Sequence, residues 1–304
     1  MSYQVITHQC DVRRKPAAIK PNLKASPRAL SALIIALDER DRLMNEPLLI
    51  TFDDAIAIIS VNDAPYNRMT LDFVDLLEVQ VNELARNDNI RAVVITAEGL
   101  DNFSVGMNLK QLALGIEQAG DANVFFDQRL RVIAAIENMG KPWIATLFGY
   151  CLGAGLELPL GCHFRLAAEE NAQIGLPEID LGAVPAWGGS ARLSKCVGRD
   201  HALDMILRGK KLSGPEALSI GLVHEVWPLN ELKQRAIDLA HTLAAQPAAA
   251  VKGVMDVVIG SEDRDLDTLL KTERAAVLST FDTVDQQEGM LAFLEKRKPV
   301  FNKG

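Results

Sequence analysis

Two glutamates and two glycine-bearing loops are the parts of this 304-residue sequence best able to do chemistry. Glu157 closes the run Gly149-Tyr150-Cys151-Leu152-Gly153-Ala154-Gly155-Leu156-Glu157. Glu178 sits in Gly175-Leu176-Pro177-Glu178-Ile179, ahead of Val184-Pro185-Ala186-Trp187-Gly188-Gly189. If both face one crevice, one carboxyl can give a proton and the other take one at the same reacting centre. The alternative is structural, with Glu157 capping its own helix and Glu178 on the surface. The other loop is Asn102-Phe103-Ser104-Val105-Gly106-Met107-Asn108-Leu109-Lys110. Small residues let backbone N–H groups approach a ligand, and a loop that opens a helix points free N–H groups at negative charge. That suits an oxyanion or a phosphate. The plain alternative is a pair of tight turns that need glycine only for their geometry.

Other chemistries fit less well. Gly149-Tyr150-Cys151-Leu152-Gly153 has the spacing of a nucleophile elbow, with Cys151 as nucleophile and His163, His201, His224 and His241 downstream. None of these histidines sits in a loop with an obvious carboxylate partner in a recognisable frame. A dinucleotide fingerprint starting at Gly153 needs glycine at 158, where the residue is leucine, and a Walker loop ending at Gly209-Lys210 needs glycine at 204, where it is aspartate. No metal site is expected.

The elements that must hold these loops can be traced along the chain. LLITF and AIAIISV flank Asp53-Asp54 and read as a hairpin. Met69, Phe73, Leu76, Leu77 and Leu84 recur at helical spacing and lead into the strand RAVVIT, Arg91 to Thr96. Asn123 to Met139 reads as a second helix, broken at Lys141-Pro142, and PWIATLF as the next strand. Each glycine loop directly follows a strand. This alternation predicts a largely parallel sheet with its ligand crevice beyond the carboxyl ends of the strands. After Leu229 the pattern is almost wholly helical.

Residues 1–46 stand apart as an appended arm. Pro16, Pro21, Pro27 and Pro47 punctuate it, and a helix is expected from Ser26 to Glu46, with Ser26 as cap and Pro27 at the first helical position. The longest apolar run near the N-terminus, Leu30 to Leu37, is eight residues, against about 20 for a membrane span. No membrane segment or secretory signal is expected; an organelle transit peptide is the weaker reading. Four scattered cysteines, Cys10, Cys151, Cys162 and Cys196, form no C-x-x-C pair and read as reduced thiols of a cytoplasmic protein. The 32 basic and 40 acidic residues leave a formal charge of −8, which argues against a nucleic-acid partner.

Taken in order, FSVGMNLK, GYCLGAGLE, GLPEIDLGAVPAWGGSARL, LRGKKLSGPEALSIGLVHEVWP and DQQEGMLAFLEKRKPVF resemble the crotonase (enoyl-CoA hydratase/isomerase) superfamily from about Leu48 to Phe301. The resemblance implies an α/β fold: a spiral of ββα units over residues 47–228, followed by a helical trimerisation and lid region over 229–304. It implies an acyl-CoA substrate, no cofactor beyond the coenzyme A of that substrate, and a homotrimer or homohexamer. The thioester oxygen would sit between the backbone N–H groups of Met107 and Ala154. Glu157 and Glu178 fall on the two glutamates that hydratase members use for addition of water to a 2-enoyl thioester. Lys110, Asn108, Ala186 and Trp187 would line the substrate, and Lys296 would reach a coenzyme A phosphate in a neighbouring subunit.

The chain also departs from the family pattern. Gly153-Ala154-Gly155 stands for a run of three glycines, Asn108 replaces a common aspartate, and His163 replaces the aspartate of a Cys-Asp pair. The last two departures are expected near the site, and Pro159 is expected to shorten or bend its helix. The alternatives are another reaction of the superfamily, namely isomerisation, C–C cleavage or hydrolysis, or a noncatalytic acyl-CoA- or RNA-binding relative.

Overall fold

The computed structural model describes residues 46–261 and 263–303. The expected arm, except Glu46, lies outside them, as does Cys10. Strands β1 (Leu48–Asp53) and β2 (Ile56–Val61) form the predicted hairpin, paired from Leu48 with Val61 to Asp53 with Ile56. Asp54 makes the turn at φ +50°. Every residue of β2 is buried, as in a strand covered on both faces.

Helix α1 (Leu71–Arg86) starts at Thr70, whose hydroxyl accepts the Phe73 N–H. Its buried stripe is Phe73, Val74, Leu77, Val81 and Leu84, while Leu76 points outward. Strand β3 (Ala92–Ala97) follows, then helices α2 (Leu112–Ala119) and α3 (Ala122–Glu137) and strands β4 (Trp143–Leu147) and β5 (Tyr150–Leu152). Helix α4 (Ala154–Leu160) has only seven residues, with Pro159 just before its end. Strands β6 (Phe164–Ala168) and β7 (Gln173–Gly175), helices α5 (Gly189–Val197), α6 (Arg199–Leu207) and α7 (Gly214–Ser219), and strand β8 (Glu225–Trp227) complete the sheet layer.

The main sheet runs β1-β2-β3-β4-β6-β8 and is parallel from β2 to β8. Beyond its strands the chain makes short second-layer pairings. Met69 bridges Met107, Ser104 bridges Cys151, β5 pairs with β7, and Ile174 bridges Leu212. Main strand, second-layer strand and helix recur in turn, which is the ββα spiral.

Four helices follow: α8 (Leu229–Ala244), α9 (Ala248–Gly260), α10 (Leu266–Thr280) and α11 (Val284–Glu295). Helix α8 buries Leu232, Ala236, Ala240 and Ala244, and the three alanines let it lie close against β3, β4 and β6. Helices α9 and α10 pack mainly on each other. From α9 onward Val254, Val258, Leu270, Leu278, Phe293 and Leu294 remain exposed. Among the described residues no single helix is long and apolar enough to cross a membrane.

His163 is not near the glycine loops, contrary to the sequence-based expectation. Its Nδ1 accepts the Trp143 N–H at 3.0 Å, at the amino end of β4, and Nε2 lies 3.1 Å from Glu137 O. Since Nδ1 is an acceptor, Nε2 carries the proton and donates. The ring is held neutral, and burial lowers its pKa.

Candidate active site

Two buried carboxamides fasten the loops that follow β3 and β4. Asn67 donates from Nδ2 to Glu98 O and Asn102 O at 2.9 and 2.7 Å and accepts Asp63 N–H at Oδ1. Asn102 accepts Tyr150 N–H at 2.8 Å and donates to Pro65 O at 2.8 Å. They satisfy main-chain groups that irregular loops would otherwise bury unpaired. Ser104 N–H then donates to Tyr150 O, and Leu152 N–H to Ser104 O. This close approach requires glycine. A β-carbon on Gly155 would overlap Ser104 O, and one on Gly106, at φ +99°, would stand 2.7 Å from Leu152 O.

Each loop leaves amides over, Met107 in the first and Ala154 in the second among them. Around Met107 the pairing uses its neighbours, because Met69 N–H donates to Gly106 O and Asn108 N–H to Met69 O. Met107 N–H therefore points away from that pairing. In the other loop Gly153 N–H is taken by Gly175 O, and Leu156 and Glu157 N–H by Gly153 O. Ala154 is the first residue of α4, so its N–H has no intrahelical acceptor. The would-be Gly106 β-carbon also lies 3.5 Å from Ala154 N, which puts the two donor segments side by side.

Glu157, the fourth residue of α4, is 2 % exposed. Its Oε1 accepts Trp187 N–H at 2.7 Å and Gly189 N–H at 2.8 Å. Gly189 opens α5, so the carboxylate also faces the positive end of a helix. Burial pushes the Glu157 pKa up to about 7, with Glu178 adding to the rise and the two amides and Arg192 opposing it. Oε1 is held, and Oε2 has no protein partner among the described residues.

Glu178 begins a 3-10 turn, Glu178–Leu181. Its Oε1 lies 2.9 Å from where a β-carbon on Gly153 would stand, beside the second glycine loop. Its Oε2 is buried with no hydrogen-bond partner. Burial raises its pKa too, opposed only by its own backbone amide. An unpartnered buried carboxyl oxygen favours the protonated form, whereas amide donors favour the ionised one. The pair thus divides by its contacts: Glu157 has one oxygen held by two main-chain amides of another segment, and Glu178 has one buried oxygen without a partner.

Asn108 and Lys110 continue from Met107 into the 3-10 turn Leu109–Gln111, with Lys110 exposed. Ala186 is exposed beside the Trp187 amide. Trp187 itself serves the site through its backbone, because its residue is 3 % exposed and packs in the core. Lys296 is not brought to the loops within the chain. It ends α11 at φ +56°, and the tail after it is fastened by Asn302 to Gln246 O and Ala248 N–H. Asn302 also lies by Ala244 O, which accepts Arg91 Nε near the amino end of β3, opposite the end that bears the glycine loops.

Sequence reasoning missed Asn67, Asn102, Gly189 and Arg192. Their roles depend on main-chain partners far away in sequence. The elbow reading of Cys151 fails: the thiol is fully buried, donates to Phe148 O at 3.5 Å, and burial drives its pKa up. Among the described residues no group of three or more His, Cys, Asp or Glu could hold a metal ion. One cleft of about 750 Å³ is lined by Arg91, Pro247, Asp285 and Phe301 and includes neither Glu157 nor Glu178. A smaller apolar cleft of about 320 Å³ lies between Ile179, the residue after Glu178, and Val184, Pro185, Leu203 and Ile206.

Comparison with known proteins places these features among relatives. The profile of the enoyl-CoA hydratase/isomerase family matches residues 51–304. A probable enoyl-CoA hydratase of Bacillus subtilis is 32% identical over 251 residues, covering 82% of this chain and 96% of its own. A short-chain-enoyl-CoA hydratase of Clostridium acetobutylicum is 30% identical, covering 80% and 92%. The crystal structure of an enoyl-CoA hydratase from Bacillus anthracis superposes with a TM-score of 0.79 at 30% identity, covering 85% of this chain and 100% of the other.

Proposed function

The chain belongs to the enoyl-CoA hydratase/isomerase family, and from that premise we propose that it adds water to, or removes it from, a 2-enoyl-CoA thioester. The observation that carries the reading is the unequal pair of carboxyls: Glu157 gripped by two amides, and Glu178 with an unpartnered buried oxygen beside the second glycine loop. In the hydration direction, the free Oε2 of Glu157 takes a proton from water as its oxygen attacks the β-carbon. Electron density moves to the thioester oxygen, which the Met107 and Ala154 N–H groups stabilise. One such donor is typically worth about 3 to 4 kcal/mol in the transition state. Glu178 delivers its proton to the α-carbon. The product has gained the elements of one water, and a proton returns from Glu157 to Glu178 before the next turnover. The coupled pair titrates together, so a pH profile reports both groups.

In this reading Lys110, exposed in the turn after Met107, meets the nucleotide end of the substrate, and Lys296 reaches a coenzyme A phosphate in a neighbouring subunit. The test is a panel of short, branched and aromatic enoyl-CoA thioesters followed by loss of the conjugated-enone absorbance. Hydration of at least one member supports the reading. Binding without turnover throughout would instead favour a noncatalytic acyl-CoA-binding role.

A further inference from the structure

The segment that grips Glu157 is itself gripped from behind. Arg192, one turn into α5, folds back over Gly188, and its Nη1 donates to Trp187 O at 3.2 Å. Gly188 adopts φ +93°, and a β-carbon there would overlap this guanidinium, so only glycine lets the arginine lie so close. The other edge of the guanidinium is anchored across the crevice wall: Nε and Nη2 both donate to Glu137 Oε2 on α3, at 3.1 and 3.0 Å. The Arg192 side chain is 15% exposed and that of Glu137 34%, so the guanidinium is the shielded half of the pair and the carboxylate faces solvent in part. Trp187 O therefore points to a fixed cation while Trp187 N–H and Gly189 N–H, on either side of it, point to Glu157 Oε1.

We propose that Arg192, tethered by Glu137, is a positioning residue for Glu157: it fixes the Trp187–Gly189 backbone whose two amides select which carboxylate oxygen is held and which is free to accept a proton. The inference rests on the reading of Glu157 as the proton acceptor. The charged groups that face Glu157 are Arg192 from α5 and Glu178 from its 3-10 turn, and their effects on its ionisation oppose each other. Glu137 faces Arg192 and not Glu157. A guanidinium supplies both the fork and the charge, whereas an ammonium would supply only the charge.

The experiment compares R192M, R192K, E137Q and the double variant R192M/E137Q on the preferred enoyl thioester. A misaimed base costs about 10²-fold, so R192M should lose roughly that in kcat with little change in KM. The acidic limb of its pH profile should move to higher pH, because the cation facing Glu157 is gone. R192K should restore the limb without restoring kcat. E137Q should shift both in the same direction by less, and the double variant should be no worse than R192M, because the two act as one unit. A wild-type kcat and limb in R192M, or losses that multiply in the double variant, would overturn the proposal. Should circular dichroism show that R192M does not fold, E137Q decides, and a wild-type rate and limb there overturn it equally. A substrate-free readout separates this inference from the assigned reaction. By carboxyl-carbon NMR, with E157Q identifying the signal, the Glu157 midpoint should rise in R192M. If it rises while no enoyl thioester is hydrated, the hydratase reading fails and the positioning role stands; an unmoved midpoint overturns the positioning role.

Discussion

The Gly189 amide stands 2.8 Å from Glu157 Oε1, so the first residue of one helix holds a carboxylate carried by another. This contact, with its companion from Trp187 at 2.7 Å, turns a buried acid into a usable base. Burial alone would keep Glu157 protonated, and the amides bring its pKa back to about 7.

Activity should therefore fall as the pH drops below about 7, where Glu157 becomes protonated. Stability should show the opposite trend, and the sign follows from linkage. The folded-state pKa of Glu157 is raised from 4.5 to about 7, so the folded state binds the proton more tightly and loses stability as pH rises through that interval. E157Q removes this cost. Its Tm should match wild type near pH 4.5, exceed it increasingly up to about pH 7, and keep a constant gap above. Thermal melts across pH check this; a gap that is independent of pH contradicts it.

Lys296 should act in substrate binding and not in chemistry. A lysine on phosphate acts as a point charge, so K296A should raise KM and leave kcat nearly unchanged, with an effect that shrinks in added salt. The truncated pantetheine thioester, which lacks the nucleotide phosphates, should show no penalty. Equal penalties on both substrates contradict the placement.

Within the chain Lys296 makes no contact with the glycine loops, and the expected phosphate contact is one made in a neighbouring subunit. The exposed apolar residues of α9 to α11, including Val254, Leu270, Phe293 and Leu294, are the side chains that a subunit interface would cover. A trimer, or a hexamer of two trimers, is expected by light scattering at micromolar concentration. F293E/L294E should shift the mass toward monomer, and a monomeric wild type contradicts the expectation.

Much of this was legible in the sequence because it depends on side-chain type and period. Alternating strand and helix patterns located β2, β3 and β4 and the loops after them. Glu157 and Glu178 stood out as carboxyls next to glycine runs. What was hidden depends on main-chain geometry. An amide donor has no residue signature, so Trp187 read as a substrate contact through its ring, whereas the site uses its N–H. Glu137 and Arg192 are 55 residues apart, and no local pattern joins them. Cys151 had the spacing of a nucleophile but sits where the sheet buries it, and His163 was displaced to the far end of β4 by hydrogen bonds to Trp143 and Glu137.

The central claim is that water is added across a double bond by two carboxyls with distinct roles. The direct measurement is turnover of crotonyl-CoA in ¹⁸O-labelled water and, separately, in D₂O, with mass and NMR analysis of the product. One ¹⁸O at the β-carbon and one deuterium at the α-carbon are expected, and E157Q and E178Q should each lower the rate by ~10²-fold or more. A product that carries no ¹⁸O, from a shifted double bond or C–C cleavage, or near-normal rates in either variant, would contradict the account.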